Sequence, residues 1–126
     1  MPQSMYQDVI DFHNKMGIFS PEKPVDLDLE IVQFRVRRTH EEIQEYLNAY
    51  ADIDLAGQLD ALVDLVYIAL GTAVFHGFNF DEAWRRVHEA NMQKRRAVTA
   101  DESKHGTTLD VVKPQGWLAP DLSDLV

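Results

Sequence analysis

The chain has 126 residues, 45% of them hydrophobic, which suits one globular domain with an apolar core and excludes a disordered segment. Its formal net charge of −9 at pH 7 opposes a sequence-independent nucleic-acid binder, which needs a basic face, and suits a protein that binds divalent cations. The lack of cysteine excludes disulfides and thiolate metal sites.

No targeting or membrane segment is evident. The N-terminus has neither the basic start nor the apolar run of a signal peptide. The longest apolar stretch, Ala61 to Phe75, contains Asp64 and, at about 15 residues, is short for a bilayer span. We therefore expect a soluble, cytoplasmic protein that contacts neither membrane nor nucleic acid.

The first two predicted helices are separated by a loop. The first runs from about Met5 to Met16, with Ser4 as a suitable cap and Gly17 as a suitable stop. Prolines make the segment after it a loop. The second runs from about Leu27 to Ala51, with apolar residues at spacings of three and four and no proline or glycine inside it.

A short turn leads into the third predicted helix, about Leu55 to His76. Asp54 is a suitable N-cap for this helix, and Gly77 is a suitable stop. The helix is apolar on nearly all sides, so we expect it to be the most buried element. Because the turn is short, the second and third helices are expected to be antiparallel neighbours.

The fourth predicted helix runs from about Phe80 to Val98. The segment Ala100 to Val126, with its glycines and prolines, is predicted to be an extended tail for which Trp117 is a packing anchor. No strand pattern of any length is evident, so the predicted fold class is all-α. We expect a single domain over residues 1–126, with a four-helix bundle at about 5–98 and the tail at 100–126.

Asp64 is the most informative residue, because it lies inside the apolar third helix. A carboxylate there costs several kcal/mol, roughly, unless a charge or a metal compensates for it. Asp60 lies one turn earlier on the same face. A buried salt bridge to an arginine of a neighbouring helix would explain Asp64 alone about equally well.

Three glutamates of the second helix favour a metal site over a salt bridge at Asp64. Glu41, Glu42 and Glu45 lie within two turns, at spacings that share a face, and solvation is the usual explanation of such a cluster. Across a short turn, however, Glu45 faces the third helix near Asp60 and Asp64. Carboxylates that converge in this way are unfavourable without cations, and oxygen ligands suit Mg²⁺ or Mn²⁺. Glu42, Glu45, Asp60 and Asp64 are therefore the predicted metal ligands.

Several motifs together resemble the MazG-like nucleoside triphosphate pyrophosphohydrolases. They are Glu42-x-x-Glu45, DALVDLVYIALGTA from Asp60, VHEANMQKRR from Val87 and VVKPQGWLAPDL from Val111. The resemblance covers about residues 5–122, and the superfamily includes the dimeric dUTPases and the phosphoribosyl-ATP pyrophosphohydrolases. The chain departs from the family pattern at Ala61, where a glutamate is usual, and Asp60 is the only acidic substitute on that face.

The resemblance implies metal-dependent hydrolysis between the α and β phosphates, giving a nucleoside monophosphate and pyrophosphate. It implies two or three Mg²⁺ ions per site, with Mn²⁺ able to substitute, and a role for Glu41 or Glu42 in orienting water or accepting its proton. Similarity to phage enzymes of the MazZ type favours a purine deoxynucleotide such as dGTP, and a host-cytoplasmic location if the chain is phage-encoded. Phosphoribosyl-ATP is the rival substrate. The alternative to an enzyme is a non-catalytic helical interaction module, which the absence of the usual glutamate at Ala61 supports.

The resemblance also suggests residues that contact the substrate. Asn91 and Lys94 share a face of the predicted fourth helix and are candidate phosphate ligands, although a basic helix end would also complement the macrodipole. Lys104, and also Lys113, are candidates to close over the site from the tail. Phe12 and His13 are candidates for base binding, because helix one lies near the base in related proteins. A core Phe12 and a surface His13 are equally good explanations.

Two features remain. Arg35, Arg37 and Arg38 precede the glutamates on the second helix, and surface solvation or salt bridges between subunits explain them adequately.

The third helix is too apolar for a lone four-helix monomer of this size. We therefore predict a homodimer or a homotetramer, with sites near the subunit interfaces.

Overall fold

The computed structural model describes residues 2–126, and the all-α fold class is confirmed. Within those residues lie helices α1 (Met5–Lys15), α2 (Leu29–Ala51), α3 (Leu55–His76) and α4 (Phe80–Asn91), the two-residue strands β1 (Arg95–Arg96) and β2 (Val111–Val112), and the 3-10 turns Ala100–Glu102 and Ser123–Leu125. The chain forms two compact units, residues 2–80 with Val126 and residues 81–125. A single domain over the whole chain stays a prediction.

The helix ends follow the capping residues. Ser4 accepts a hydrogen bond from the Gln7 N–H at the start of α1, and Asp54 accepts one from the Gly57 N–H at the start of α3. Gly77 ends α3 in the left-handed conformation, with φ of 74°. Helix α2 begins two residues later than predicted, because Asp28 is its N-cap in an extended conformation.

The core of the first unit lies between α1 and α3. Tyr6 and Val9 of α1 pack against Leu70, Ala73 and Val74 of α3, and both valines are fully buried. Full burial of an aliphatic side chain of this kind stabilises a fold by roughly 1.5–3 kcal/mol. Helix α3 has six buried residues among its 22, the same share as the three among 11 in α1, so the expectation that α3 is the most buried element is not confirmed. All of its buried residues except Ala61 lie in its second half.

The first half of α3 leaves apolar side chains exposed, among them Leu55, Leu59 and Val63. With 22 residues, α3 is long and apolar enough to cross a membrane by length and composition, so the length argument based on Ala61 to Phe75 was too narrow. The helix instead packs against both α1 and α2. It also carries Asp60 and Asp64, and carboxylates at membrane depth are costly.

Helix α4 ends at Asn91, so the prediction that it continues to Val98 is wrong. In a continuing helix the carbonyl of Ala90 would accept from the Lys94 N–H. It accepts instead from the Gln93 N–H at 3.2 Å and from the indole Nε1 of Trp117 at 2.7 Å, while the Lys94 N–H donates to the carbonyl of Asn91. The tail thus supplies a hydrogen-bond donor to the last turn of α4, and Trp117 anchors the tail there, as expected.

The tail is not simply extended, because it folds within the second unit. Strands β1 and β2 pair antiparallel, with Arg95 opposite Val112. Glu102 bonds to the Arg95 guanidinium at 2.7 Å and to the Val98 N–H at 2.6 Å. These strands are too short to produce an alternating pattern, which is why the sequence did not predict them.

Candidate metal centre

Three carboxylates meet where α2 faces α3. Glu42 and Glu45 come from successive turns of α2, and Asp64 comes from α3, beyond the turn of residues 52–54. One oxygen from each side chain lies within 4.8 Å of one from each of the other two. The structure therefore brings together three of the four predicted metal ligands.

Glu42 is the most constrained member of this acid cluster, which we define as Glu42, Glu45 and Asp64. Its side chain is 4% exposed, and its Oε2 atom has no hydrogen-bond partner in the described part of the chain. Its Oε1 lies 3.6 Å from Nη2 of Arg38. Burial raises the pKa of Glu42, and the neighbouring Glu45 and Asp64 carboxylates raise it further, against the opposing charge of Arg38.

The acid cluster has the donors that a divalent cation needs. All of its ligand atoms are carboxylate oxygens, which hard cations prefer. Within residues 2–126 no lysine or arginine forms an ion pair with Asp64, so the alternative of a salt bridge at that residue is wrong. The unpartnered Glu42 oxygen and the uncompensated charge of its neighbours fit a bound divalent metal.

Two predicted residues lie outside the acid cluster. Asp60 is exposed, one turn before Asp64, and its role as a ligand stays a prediction. Glu41 is also exposed and forms an ion pair with Nη1 of Arg38 at 2.5 Å. Arg38 thus links Glu41 to Glu42 along one face of α2.

A cavity of about 300 Å³ opens beside the acid cluster. Carboxylates, arginines, aromatic rings and one aliphatic side chain line it: Phe12, His13, Arg35, Arg38, Glu42, Asp64, Tyr67 and Ile68. Phe12 is 42% exposed and meets the Tyr67 ring edge-on, with centroids 5.6 Å apart. His13 is only 5% exposed. The explanations of a core Phe12 and a surface His13 are both wrong, while base binding by the two stays a prediction.

His13 and Arg35 lie together against α3 at Gly71. A Cβ at Gly71 would come within 2.6 Å of Arg35 Nη2 and 3.0 Å of His13 Nε2, so the glycine makes the space that both side chains occupy. Burial lowers the pKa of His13, and the Arg35 charge lowers it further, so the ring is neutral at neutral pH. Its buried Nδ1 has no partner among residues 2–126.

Arg35 is the functional candidate that the sequence analysis missed. Its Nε donates to Thr72 Oγ1 at 3.1 Å and its Nη2 to the Ile68 carbonyl at 2.7 Å. The guanidinium also lies 5.2 Å from the centroid of the Phe75 ring. The available signal was a glycine inside an apolar helix, which often marks a close approach by another group.

The predicted phosphate ligands lie in the second unit. Asn91 is exposed at the last position of α4. Lys94 follows the end of the helix, so the helical spacing that linked it to Asn91 does not apply, and its Nζ lies 4.9 Å from the Trp117 ring centroid. Lys104 is exposed. Phosphate binding by these residues stays a prediction.

Comparison with known proteins identifies the family. The model of the phosphoribosyl-ATP pyrophosphohydrolase family matches residues 9–91, which include the acid cluster and the whole lining of the cavity. No curated protein matches the chain. The matched family belongs to the MazG-like all-α superfamily, whose pyrophosphohydrolases use divalent metals. The chain therefore belongs to the phosphoribosyl-ATP pyrophosphohydrolase family and is a pyrophosphohydrolase, an enzyme that cleaves an acid anhydride bond of a nucleotide-like substrate.

Proposed function

We propose that the protein hydrolyses a nucleoside triphosphate between its α and β phosphates and releases the monophosphate and pyrophosphate. The observation that supports this reaction most directly is the buried, unpartnered carboxylate oxygen of Glu42 beside Glu45 and Asp64. These residues would hold Mg²⁺, two or three ions per site, with Mn²⁺ able to substitute and Asp60 as a further ligand. When bound, such cations neutralise phosphate charge and increase the acidity of water.

Two glutamates are candidates to orient the attacking water or accept its proton. Glu42 belongs to the acid cluster, and burial raises the pKa of its carboxyl, which makes it a stronger base in the metal-free protein. Glu41 lies outside the acid cluster, and its Arg38 partner lines the cavity. Glu41→Gln should keep metal binding and lose turnover if Glu41 is the base, whereas Glu42→Gln should weaken both.

The substrate is proposed to lie in the cavity, with its base near Phe12 and His13 and its phosphates near the acid cluster. Asn91, Lys94 and Lys104 are proposed to bind phosphate. The similarity to phage MazZ-type enzymes favours a purine deoxynucleoside triphosphate such as dGTP. Phosphoribosyl-ATP is the second candidate substrate, because the matching family is named for it.

The assembly and its location are further proposals. The exposed apolar side chains of Leu62, Val63 and Val66 on α3 support a homodimer or homotetramer, since such a row is costly to leave in water. We expect a soluble, cytoplasmic enzyme, in the host cytoplasm if the chain is phage-encoded.

The decisive experiment is an assay of pyrophosphate release. The eight common nucleoside and deoxynucleoside triphosphates, with phosphoribosyl-ATP, are incubated with the protein and Mg²⁺ or Mn²⁺. Glu45→Ala and Asp64→Ala should each abolish turnover, whereas Glu30→Ala, at an exposed glutamate on the same α2 helix, should retain it. If no substrate in the panel releases pyrophosphate, the proposal is wrong and a non-catalytic helical module is favoured.

A further inference from the structure

Arg35 is a partly buried cation beside the cavity, and it has no carboxylate partner among residues 2–126. A guanidinium carries five N–H donors in one plane. Two of these donors in Arg35 form hydrogen bonds, one to Thr72 Oγ1 and one to the Ile68 carbonyl. The Nη1 atom has no hydrogen-bond partner in the described part of the chain, so donors remain for a ligand in the cavity that Arg35 lines.

The Arg35 guanidinium is held in one position by its contacts. Two hydrogen bonds hold it to α3, the Phe75 ring lies 5.2 Å away, and only a glycine at position 71 leaves room for it. A planar donor group held in this way loses little entropy on binding and selects for ligand geometry. That is a property of a recognition residue more than of a surface charge.

The position of Arg35 suggests which part of a nucleotide it meets. Arg35 precedes Glu42 by seven residues on α2, which separates the two by roughly 10 Å along the helix axis. Arg38 lies between them and is already paired with the glutamates. A nucleotide with its phosphates at the acid cluster would therefore direct its base, beyond the sugar, toward Arg35 and the aromatic rings of Phe12 and Tyr67.

The chemistry of the base edge then discriminates between purines. Guanine presents two adjacent acceptors, O6 and N7, which match an arginine, whereas adenine presents an N6 amino donor in place of O6. Building on the proposed function, we propose that Arg35 determines base specificity by donating to the O6 and N7 atoms of a 6-oxopurine, so that guanine is preferred to adenine. The same contact disfavours phosphoribosyl-ATP, which carries an adenine base.

Base analogues test this contact on the unaltered protein. Deoxyinosine triphosphate keeps both O6 and N7, and the 2-aminopurine deoxynucleotide keeps N7 but lacks O6. We expect kcat/KM for deoxyinosine triphosphate to lie near that for dGTP, and kcat/KM for the 2-aminopurine nucleotide and for dATP to be lower by roughly 10- to 100-fold. Equal turnover of dGTP and the 2-aminopurine nucleotide would overturn the proposal.

Substitution tests the residue itself. Arg35→Gln should reduce the preference for dGTP over dATP at least about tenfold, mainly through KM, because a glutamine amide matches the N6 and N7 atoms of adenine. Arg37→Gln, at an exposed arginine of the same helix, should leave the preference unchanged. Arg35→Ala removes every one of these donors, so an alanine variant with the full preference would contradict the contact.

The possible failures are distinguishable. Absence of pyrophosphate release from every nucleotide is a failure of the proposed function. Turnover with a base preference that does not depend on O6 or on Arg35 is a failure of this inference alone. If the Arg35 variants do not fold, as judged by circular dichroism, the analogue series on the wild-type protein decides the question.

Discussion

Glu42 on α2 and Asp64 on α3 hold carboxylate oxygens within 4.8 Å of each other, with an oxygen of Glu45 equally close, and among residues 2–126 Glu42 is the one member of this acid cluster that forms an ion pair. In the metal-free protein these like charges repel, and burial of Glu42 adds a desolvation cost. The fold of residues 2–80 imposes this arrangement because the turn between the two helices is only a few residues long. A metal bound at these carboxylates should relieve the repulsion.

Divalent metal should stabilise the folded protein. A ligand that binds only the native state adds about 2.7 kcal/mol of stability at a concentration 100 times its Kd. The melting temperature should therefore rise with Mn²⁺ or Mg²⁺ concentration, as followed by circular dichroism. Asp64→Asn should lose most of this rise, while Glu30→Gln, far along α2 from the acid cluster, should keep it. A wild-type melting temperature that is independent of both metals would show that the cluster does not bind them.

The stability of the metal-free protein should depend on pH through Glu42. Because the pKa of Glu42 is raised above its ordinary value of 4.5, the folded state holds this proton more tightly than the unfolded state. The penalty for ionising Glu42 is absent below pH 4.5. It grows as pH rises from 4.5 through the raised pKa, and stability falls over that window.

The measurement compares wild type with Glu42→Gln, which cannot ionise, by urea unfolding in EDTA between pH 4.5 and 8. The wild type should lose stability relative to the variant as pH rises. Mg²⁺ should reverse the trend, because the metal competes with the proton for the same carboxylate. A difference between the two proteins that is constant with pH would mean that Glu42 titrates normally.

Much of the fold and part of the site follow from local sequence signals. The ends of α3 follow from Asp54 and Gly77, and the meeting of Glu42 and Glu45 with Asp64 follows from helical spacing and a short turn. Such features depend on capping residues, on helical spacing and on one short turn, all of which can be read from a single sequence.

The features that were missed depend on contacts distant in sequence. Helix α4 ends early, at the point where Trp117, far along the chain, donates a hydrogen bond to the Ala90 carbonyl of its last turn. The burial of His13 and the fixed guanidinium of Arg35 depend on how α1 and α2 pack on α3 at Gly71. The spacing of residues within one helix carries no information about those contacts. The sequence alone therefore indicated an ordinary surface arginine at Arg35.

The turn between α2 and α3 contains a strained residue. Ile53 has φ of 55°, in the left-handed region that a β-branched residue rarely adopts, and its side chain is 88% exposed. Ile53→Asn should stabilise the protein by about 1 kcal/mol, because asparagine tolerates this conformation and little packing is lost. Urea unfolding measures the change, and Leu55→Asn, an exposed residue in helical conformation, is the control, which should not be stabilised. A destabilised Ile53→Asn variant would mean that the isoleucine side chain is packed in the assembled protein.

The exposed apolar side of α3 should be an interface between copies of the chain. Leu62, Val63 and Val66 are each about half exposed, and together with Met5 they line an apolar cavity of about 470 Å³ at the surface. Soluble monomers rarely leave contiguous patches of this kind in water. The protein should therefore elute as a dimer or tetramer in size-exclusion chromatography with light scattering, and its melting temperature should rise with protein concentration.

Val63→Glu tests this interface directly, because it adds a charge at the centre of the row at a residue that is 54% exposed. The variant should dissociate to a smaller species, since burying an unpaired carboxylate in an apolar interface is strongly unfavourable. Leu109→Glu, at a residue that is 84% exposed in the second unit, should leave the oligomeric state unchanged. If the wild type is monomeric at every concentration tested, the exposed row of α3 has some other role and the proposed assembly is wrong.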